Sequence, residues 1–196
     1  MKLLYDNSES QVTKDGKRNE IINGIPDWVN EEEFGFSTAM TFNADGKVLC
    51  WIRYDESRVK TYALQMFKGS YPERPELATY PGEYSYKYPK AGQENSKVSV
   101  MSYDVKSHQT RTLQVPVPSE GYIPRIKPTS DANKIVVYTM NRHQDELCLY
   151  AVNPLSTLSQ LLIKEKVDKY VKEEAMDGIM LTAQHIILPS DRSGKM

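Results

Sequence analysis

The first half of the chain contains an apolar run, a polar turn and a second apolar run. The runs cover residues 39–42 and 47–54, and Asn-Ala-Asp-Gly at 43–46 separates them. Asp-Gly between apolar runs is a strong hairpin signal, because glycine tolerates the positive φ that tight turns require. Another apolar run follows at 62–67. The pattern predicts consecutive antiparallel strands.

The same pattern returns in the second half of the chain. Its candidate strands lie near 122–127, 134–141, 146–152 and 158–163. A weaker third copy covers 179–189 and is followed by a turn at 190–194, Ser-Asp-Arg-Ser-Gly. Recurrence of a four-stranded unit favours a β-propeller, whose blades are small twisted sheets packed face to face. A β-sandwich also has regularly spaced strands, and the spacing alone does not decide between the two folds.

One stretch, residues 164–174, is rich in strong helix formers and predicts a helix, although its apolar positions form no wide stripe. An inter-blade linker with a short strand at 170–171 is the alternative. The chain starts with a run, Leu3-Leu4-Tyr5-Asp6, that resembles a strand without its partner, and it stops within a turn. Natural repeat proteins end in capping units. We therefore expect a fragment of a longer protein.

Composition excludes several classes of protein. The 196 residues carry 25 Lys and Arg against 26 Asp and Glu, a net charge of −1, so the chain is not a basic nucleic-acid binder. It has no apolar stretch long enough to span a bilayer, and no signal peptide is visible at its start. Cys50 and Cys148 lie far apart within apolar runs and are interpreted as core residues. No His or Cys spacing indicates a metal site, and we expect no cofactor.

Residues 27–33, Asp-Trp-Val-Asn-Glu-Glu-Glu, form the most unusual segment. Asn30 and Glu33 match a capping box loosely, which predicts a short helical turn starting there. Adjacent residues of one turn point about 100° apart, so neighbouring carboxylates can grip one cation from two sides. A run of glutamates can also be no more than a solvated surface.

Several segments, in order and spacing, resemble the dipeptidyl peptidase IV family of prolyl-oligopeptidase-like serine peptidases. Residues 27–33 are similar to its Asp-Trp-Val-Tyr-Glu-Glu-Glu, and residues 88–95 to its Tyr-Pro-Lys-Ala-Gly-x-x-Asn. Residues 122–126 (Tyr-Ile-Pro-Arg-Ile) and 141–144 (Asn-Arg-His-Gln) resemble bacterial members, and the turn at 190–194 resembles the Ser-Glu/Asp-Arg-x-Gly turn of the family. Asn30 in place of Tyr, and Phe34-Gly35 after the glutamates, depart from the pattern.

The resemblance implies an all-β fold, a partial β-propeller with about two complete four-stranded antiparallel blades and parts of the flanking ones. On that basis the whole chain, residues 1–196, is a fragment of one propeller domain. The expected division is the end of a blade at 1–24, a Glu-bearing loop or short helix at 25–36, blades at 37–116 and 122–165, and the start of another blade at 166–196.

The resemblance also implies a function. The double-Glu motif of the family falls on Glu32 and Glu33, which there bind the free α-ammonium of a peptide substrate, whereas Glu31 is expected to be structural. The parent protein is then a serine-type exopeptidase that releases N-terminal dipeptides. Its implied partners are peptides with a free N-terminus and a C-terminal α/β-hydrolase domain of the same chain. The implied location is periplasmic, cell-envelope or extracellular.

The chain carries no catalytic residue that we can assign. It contains no Gly-x-Ser-x-Gly nucleophile elbow, and none of His108, His143 and His185 has a recognisable Ser and Asp partner. The resemblance places the Ser-Asp-His triad beyond this chain, so we expect the fragment itself to be inactive. A non-enzymatic β-propeller that binds partners or acts as a scaffold is the alternative function. The tyrosines at 80, 84, 86 and 88 form either a binding rim or a Tyr-rich edge strand.

A partial propeller exposes sheet faces and edges that a complete ring covers, and such edges pair with other chains. We therefore expect the isolated chain to self-associate, to exchange strands or to be marginally stable. Size-exclusion chromatography with light scattering measures the oligomeric state of the isolated chain, and a thermal melt measures its stability. A monomer that melts cooperatively contradicts the expectation.

Overall fold

The computed structural model describes residues 2–5, 8–182 and 184–189. Its strands, in chain order, are β1 (Lys2–Tyr5), β2 (Ser8–Gln11), β3 (Ile21–Asn23), β4 (Met40–Phe42), β5 (Val48–Asp55), β6 (Thr61–Met66), β7 (Gly82–Lys87), β8 (Lys97–Asp104), β9 (Gln109–Thr112), β10 (Tyr122–Pro128), β11 (Ile135–Met140), β12 (Glu146–Val152), β13 (Ser159–Lys166), β14 (Met180–Leu181) and β15 (Ile186–Ile187). The helices are α1 (Trp28–Phe34), α2 (Glu173–Asp177) and a 3-10 turn at Pro75–Leu77.

Two antiparallel sheets form the body of the molecule. The first has the order β3-β5-β8-β9, with β4 also paired to β5, and the second has the order β10-β11-β12-β13. Two-stranded ribbons are formed by β1 with β2, β6 with β7, and β14 with β15. This all-β arrangement of separate antiparallel sheets agrees with the expected partial propeller, and the second unit has its four strands where the sequence predicted them.

The predicted hairpin at residues 43–46 is also confirmed, since β4 and β5 pair across it. Gly46 has a φ of +70°, and its N–H donates to the carbonyl of Asn43 at 3.0 Å. The amide oxygen of Asn43 accepts from the N–H of Val48 at 2.9 Å. Side chain and backbone therefore close the turn together.

The two sheets pack face to face because side chains alternate along each strand. From β5, Val48, Cys50, Ile52 and Tyr54 enter the shared core, where they meet Ile123, Ile135, Val137 and Val152 of the second sheet. On β11 the intervening residues Val136, Tyr138 and Met140 face the other way, toward α1 and α2. Both cysteines are buried and free, as the sequence suggested.

The edge of the first sheet is interrupted by α1. Strand β3 pairs with the end of β5 at residues 53–55, and β4 pairs with the same edge at residues 49–51. The residues between β3 and β4 leave the sheet and form α1. Residues 21–23 thus belong to the sheet of the unit at 37–116, on the other side of the boundary we expected at residue 24. The division of the chain into blades otherwise stays a prediction.

The helix predicted at 164–174 is wrong. Strand β13 continues to Lys166, paired to Glu146, and α2 begins only at Glu173. Pairing with β12 outweighs the helix propensity of this segment, and Lys164 reaches Glu146 across the strands at 2.9 Å. The short strand considered at 170–171 is not formed either.

The starting strand has a partner after all. Strand β1 pairs with β2 in an antiparallel ribbon, from Lys2 opposite Gln11 to Tyr5 opposite Ser8. The weak third copy forms the ribbon of β14 and β15. The turn expected at 190–194 lies outside the described residues.

Candidate functional site

Helix α1 carries the three glutamates, and a buried carboxylate begins it. Asp27 is the N-cap, 6% exposed, and its Oδ1 accepts from the backbone N–H of Asn30 at 2.9 Å and from its Nδ2 at 2.7 Å. Its Oδ2 accepts from the hydroxyl of Ser96, 69 residues away. The predicted helical turn is therefore present, but its cap is Asp27 rather than Asn30, which instead donates to that cap.

The other end of α1 closes on a glycine. Gly35 adopts the left-handed conformation with φ +61°, and its N–H donates to the carbonyl of Glu31 at 3.1 Å. This is a common helix ending, because glycine reaches positive φ without steric cost. The carbonyl of Phe34 accepts from Nη1 of Arg125 at 2.7 Å. A cation here also complements the negative end of the helix dipole.

Arg125 is itself held by carboxylates from α2. Its Nε and Nη2 donate to Oδ1 and Oδ2 of Asp177 at 2.9 and 3.1 Å, and Nη2 lies 3.6 Å from Oε1 of Glu173. The hydrogen bonds and charge of Arg125 lower the pKa of Asp177. Two-point geometry of this kind fixes the guanidinium as well as neutralising it. Nothing in the sequence marks this pair, which is 52 residues apart.

An aromatic cluster supports the first turn of α1. The ring of Trp28 lies 4.1 Å from that of Tyr88, and Tyr88 contacts both Tyr62 and Tyr86 at 5.5 and 6.0 Å. Tyr84 and Tyr86 lie on β7, so these tyrosines belong to the ribbon of β6 and β7 and not to an edge of either main sheet. Burial raises the pKa of Tyr86, and neighbouring tyrosines and the carboxylate of Glu32 add to the effect.

The side chains of Glu31, Glu32 and Glu33 are exposed. Within the described part of the chain, no hydrogen bond or ion pair engages their carboxylates, including the structural contact expected for Glu31. Glu32 follows Trp28 by four residues and so shares its side of the helix, facing Tyr86. Glu33 follows Val29 by four residues, on the side that packs toward the second sheet. Such a surface can bind a cation or an ammonium group.

A second acidic side chain, close enough to Asp27 to be affected by its charge, is also buried. Glu56 is 6% exposed, and burial raises its pKa; the charge of Asp27 adds to this effect and that of Lys87 opposes it. Lys87 donates to the carbonyl of Val59 at 2.8 Å, which ties β7 to the turn between β5 and β6. Sequence reasoning missed Glu56, since nothing around it distinguishes it from a surface glutamate.

A cleft of about 550 Å³ lies elsewhere, between β2 and the outer face of the first sheet. Its lining includes Trp51, Arg53, Tyr103 and His108. Nδ1 of His108 and the hydroxyl of Tyr103 form a hydrogen bond of 2.6 Å, in which the tautomer of His108 decides the donor. None of the residues that line the cleft belongs to α1, so we assign it no role in the site.

The residues that the structure describes contain no group of three or more His, Cys, Asp or Glu arranged to hold a metal ion. Across the same residues, none of the helices combines the length and apolar character that crossing a bilayer requires.

Two face-to-face antiparallel sheets, with a short helix inserted into the edge strand of one, define part of a β-propeller domain. The chain belongs to the dipeptidyl peptidase IV (DPP IV) N-terminal region family, whose model matches residues 1–195.

Individual relatives agree with this assignment. A probable dipeptidyl-aminopeptidase B of Talaromyces stipitatus is 30% identical over 97% of this chain and 21% of its own length. One of Coccidioides posadasii is 33% identical over 76% of this chain and 17% of its own length. The chain thus spans about a fifth of the curated relatives it matches.

Solved structures show the same fold. The crystal structure of Porphyromonas gingivalis dipeptidyl peptidase 4 matches with a TM-score of 0.83 and 36% identity, over 97% of this chain and 28% of that one. A putative dipeptidyl aminopeptidase IV from Bacteroides ovatus matches with a TM-score of 0.69 and 24% identity, over 83% of this chain and 21% of that one. At that identity the second likeness shows the fold alone.

Replacing Gly35 with alanine should destabilise the chain. An L-residue in the left-handed region costs about 1–2 kcal/mol, and the added Cβ would lie 2.7 Å from Oε1 of Glu173, which would have to move and disturb its 3.6 Å contact with Arg125. Gly46→Ala is the matched control, because Gly46 also has positive φ but no atom within 4 Å of its Cβ position. We expect a larger fall in melting temperature for Gly35→Ala. Equal falls contradict a cost for displacing Glu173 from Arg125.

The stability of the folded chain should decrease at low pH, in part because Asp177 becomes protonated there. Its folded pKa lies below the ordinary value of 3.8, so its contribution is present above that pH and is lost as pH falls through the folded pKa. Asp177→Asn should therefore lower the melting temperature at pH 7, and the difference from wild type should shrink below about pH 4. The exposed Asp168 supplies the control variant Asp168→Asn. A difference that stays constant down to pH 2 contradicts the role of the charge.

Proposed function

We propose that this chain is the part of a dipeptidyl peptidase that recognises the free amino end of a peptide. Glu32 and Glu33 bind the α-ammonium group and are called here the ammonium clamp. The observation that carries the proposal is a run of exposed carboxylates, without partners among the described residues, on a helix fixed at both ends. Membership in the DPP IV N-terminal region family supports it.

The physical chemistry of the clamp suits an ammonium ion. The ion has three N–H donors and a full positive charge, so two carboxylates can accept from it simultaneously. Hydrogen bonds between charged groups are shorter and roughly twice as strong as neutral ones. Glu32 and Glu33 leave the helix about 100° apart, so their extended side chains reach one ligand from two directions.

A clamp at the amino end also sets the length of the product. An extended chain covers about 3.3–3.6 Å per residue, so two residues place the scissile carbonyl roughly 7 Å from the clamp. The nucleophile lies at that distance in the proposed arrangement, on an α/β-hydrolase domain of the parent chain. The present chain, without a nucleophile elbow in its sequence, is then catalytically silent. By resemblance, the parent acts in the periplasm, at the cell envelope or outside the cell.

The proposal predicts the effect of removing one negative charge at a time. In the full-length protein, Glu32→Gln and Glu33→Gln should each reduce kcat/KM for dipeptidyl-p-nitroanilide substrates by about 10- to 100-fold, because each loses a charge-assisted hydrogen bond of about 1.5–3 kcal/mol. Labelling of the nucleophile by a small fluorophosphonate, which has no amino end, should keep its wild-type rate.

Glu31→Gln is the matched control. It changes the same residue type on the same helix but outside the clamp, and should leave turnover close to wild type. Dipeptide turnover that is unchanged in both clamp variants removes the assignment of Glu32 and Glu33.

A further inference from the structure

Arg125 is the most completely bound cation near α1, and it contacts the helix directly. It is 9% exposed, although arginine is almost never buried unless it is paired. Its Nη1 donates to the carbonyls of Phe34 and Pro124, at 2.7 and 2.8 Å. Its guanidinium also lies 5.4 Å from the centre of the Phe36 ring. The side chain is therefore fixed on several sides.

The helix end that Arg125 binds is the end that carries the ammonium clamp. Phe34 is the last residue of α1 and directly follows Glu33. Its carbonyl is one of the four at the end of any helix that lack a partner within the helix. Arg125 supplies that partner. A shift of this carbonyl moves the backbone of Glu32 and Glu33 with it, because all three residues share one helical turn.

Arg125 also joins elements from different parts of the fold. The helix is inserted in the first sheet, Arg125 lies on β10 of the second sheet, and Asp177 lies on α2, which follows that sheet. The two-point contact with Asp177 prevents the guanidinium from turning away from Phe34. Glu173, also on α2, lies beside both Arg125 and Gly35.

We infer that Arg125, oriented by Asp177, is a positioning residue that holds the last turn of α1 so that the carboxylates of Glu32 and Glu33 meet the substrate ammonium group. The inference rests on the proposed function. A role in stability alone is the competing explanation, because removing the guanidinium leaves the Phe34 carbonyl without its partner and Asp177 without its ion pair. The two explanations differ in what happens to substrate binding in protein that is still folded.

The first measurement separates substrate binding from folding. In the full-length protein, Arg125→Met should raise KM for a dipeptidyl-p-nitroanilide at least 10-fold, with a smaller change in kcat and unchanged fluorophosphonate labelling. Misplacement by about 1 Å suffices for an effect of this order. Arg125→Lys should recover part of the loss, since lysine can still donate to the Phe34 carbonyl. Thermal melting shows that each variant is folded at the assay temperature.

Arg53→Met is the matched control. Arg53 also pairs with an aspartate, Asp15, at 2.7 Å, but it lies on β5 away from α1. It should lower the melting temperature without changing KM. If Arg125→Met does not fold, Asp177→Asn tests the same inference. This variant weakens the two-point contact that orients the guanidinium but keeps the arginine itself.

The deciding measurement combines Arg125→Met with Glu33→Gln. If Arg125 acts through the clamp, its substitution should cost much less in kcat/KM when Glu33 is already glutamine, so the two effects should not multiply. Fully multiplicative effects, or a KM that stays at the wild-type value in folded Arg125→Met, overturn the inference but leave the proposed function intact. Wild-type turnover in both Glu32→Gln and Glu33→Gln overturns the proposed function, and the inference with it.

Discussion

The seven-residue helix α1 depends on contacts at its two ends, because isolated helices of this length are not stable in water. At its start, the buried carboxylate of Asp27 accepts from Asn30 and from the distant Ser96. At its end, Gly35 closes the last turn and Arg125 binds the Phe34 carbonyl. The contacts at Asn30, Gly35 and Phe34 satisfy backbone groups at the helix ends, and the contacts from Ser96 and Arg125 tie α1 to other parts of the fold.

The packing of the two sheets explains why these contacts are available. Since β5 and β11 alternate their side chains, one face of each sheet builds the shared core and the other face remains for neighbouring elements. Tyr122 and Tyr138 lie on the face of the second sheet that points away from the shared core. There Phe34 packs against Tyr122 with ring centres 5.2 Å apart. Helix α1 thus leaves the edge of the first sheet and packs on the second sheet. The way the two sheets pack against each other therefore determines its position.

Local patterns in the sequence were sufficient to predict much of this fold. The hairpin at 43–46 and the strands of the second sheet follow from turn residues and alternation, which are properties of neighbouring residues. The segment at 164–174 was misjudged because pairing with β12 decides its conformation, and propensity alone does not contain that pairing. The glutamates of the clamp could be singled out from their spacing and from family resemblance.

The contacts that hold α1 in place could not be predicted in the same way. Ser96 lies 69 residues from Asp27, and Asp177 lies 52 residues from Arg125. A serine or an aspartate at such a distance looks like any other polar residue in a single sequence. Burial of Glu56 is equally invisible, because one of its contacts comes from a distant part of the sequence, where the carbonyl of Glu20 accepts from the N–H of Glu56.

The exposure of the clamp has a consequence for how it would act. The exposure makes each ion pair weak, because water screens it; exposed pairs contribute about 0–1 kcal/mol. In the proposed function, a strong contact with an ammonium group therefore requires a second surface that excludes water from Glu32 and Glu33 once the substrate is bound. The aromatic cluster around Trp28 supplies one wall beside Glu32, and the proposed hydrolase domain has to supply the opposite one.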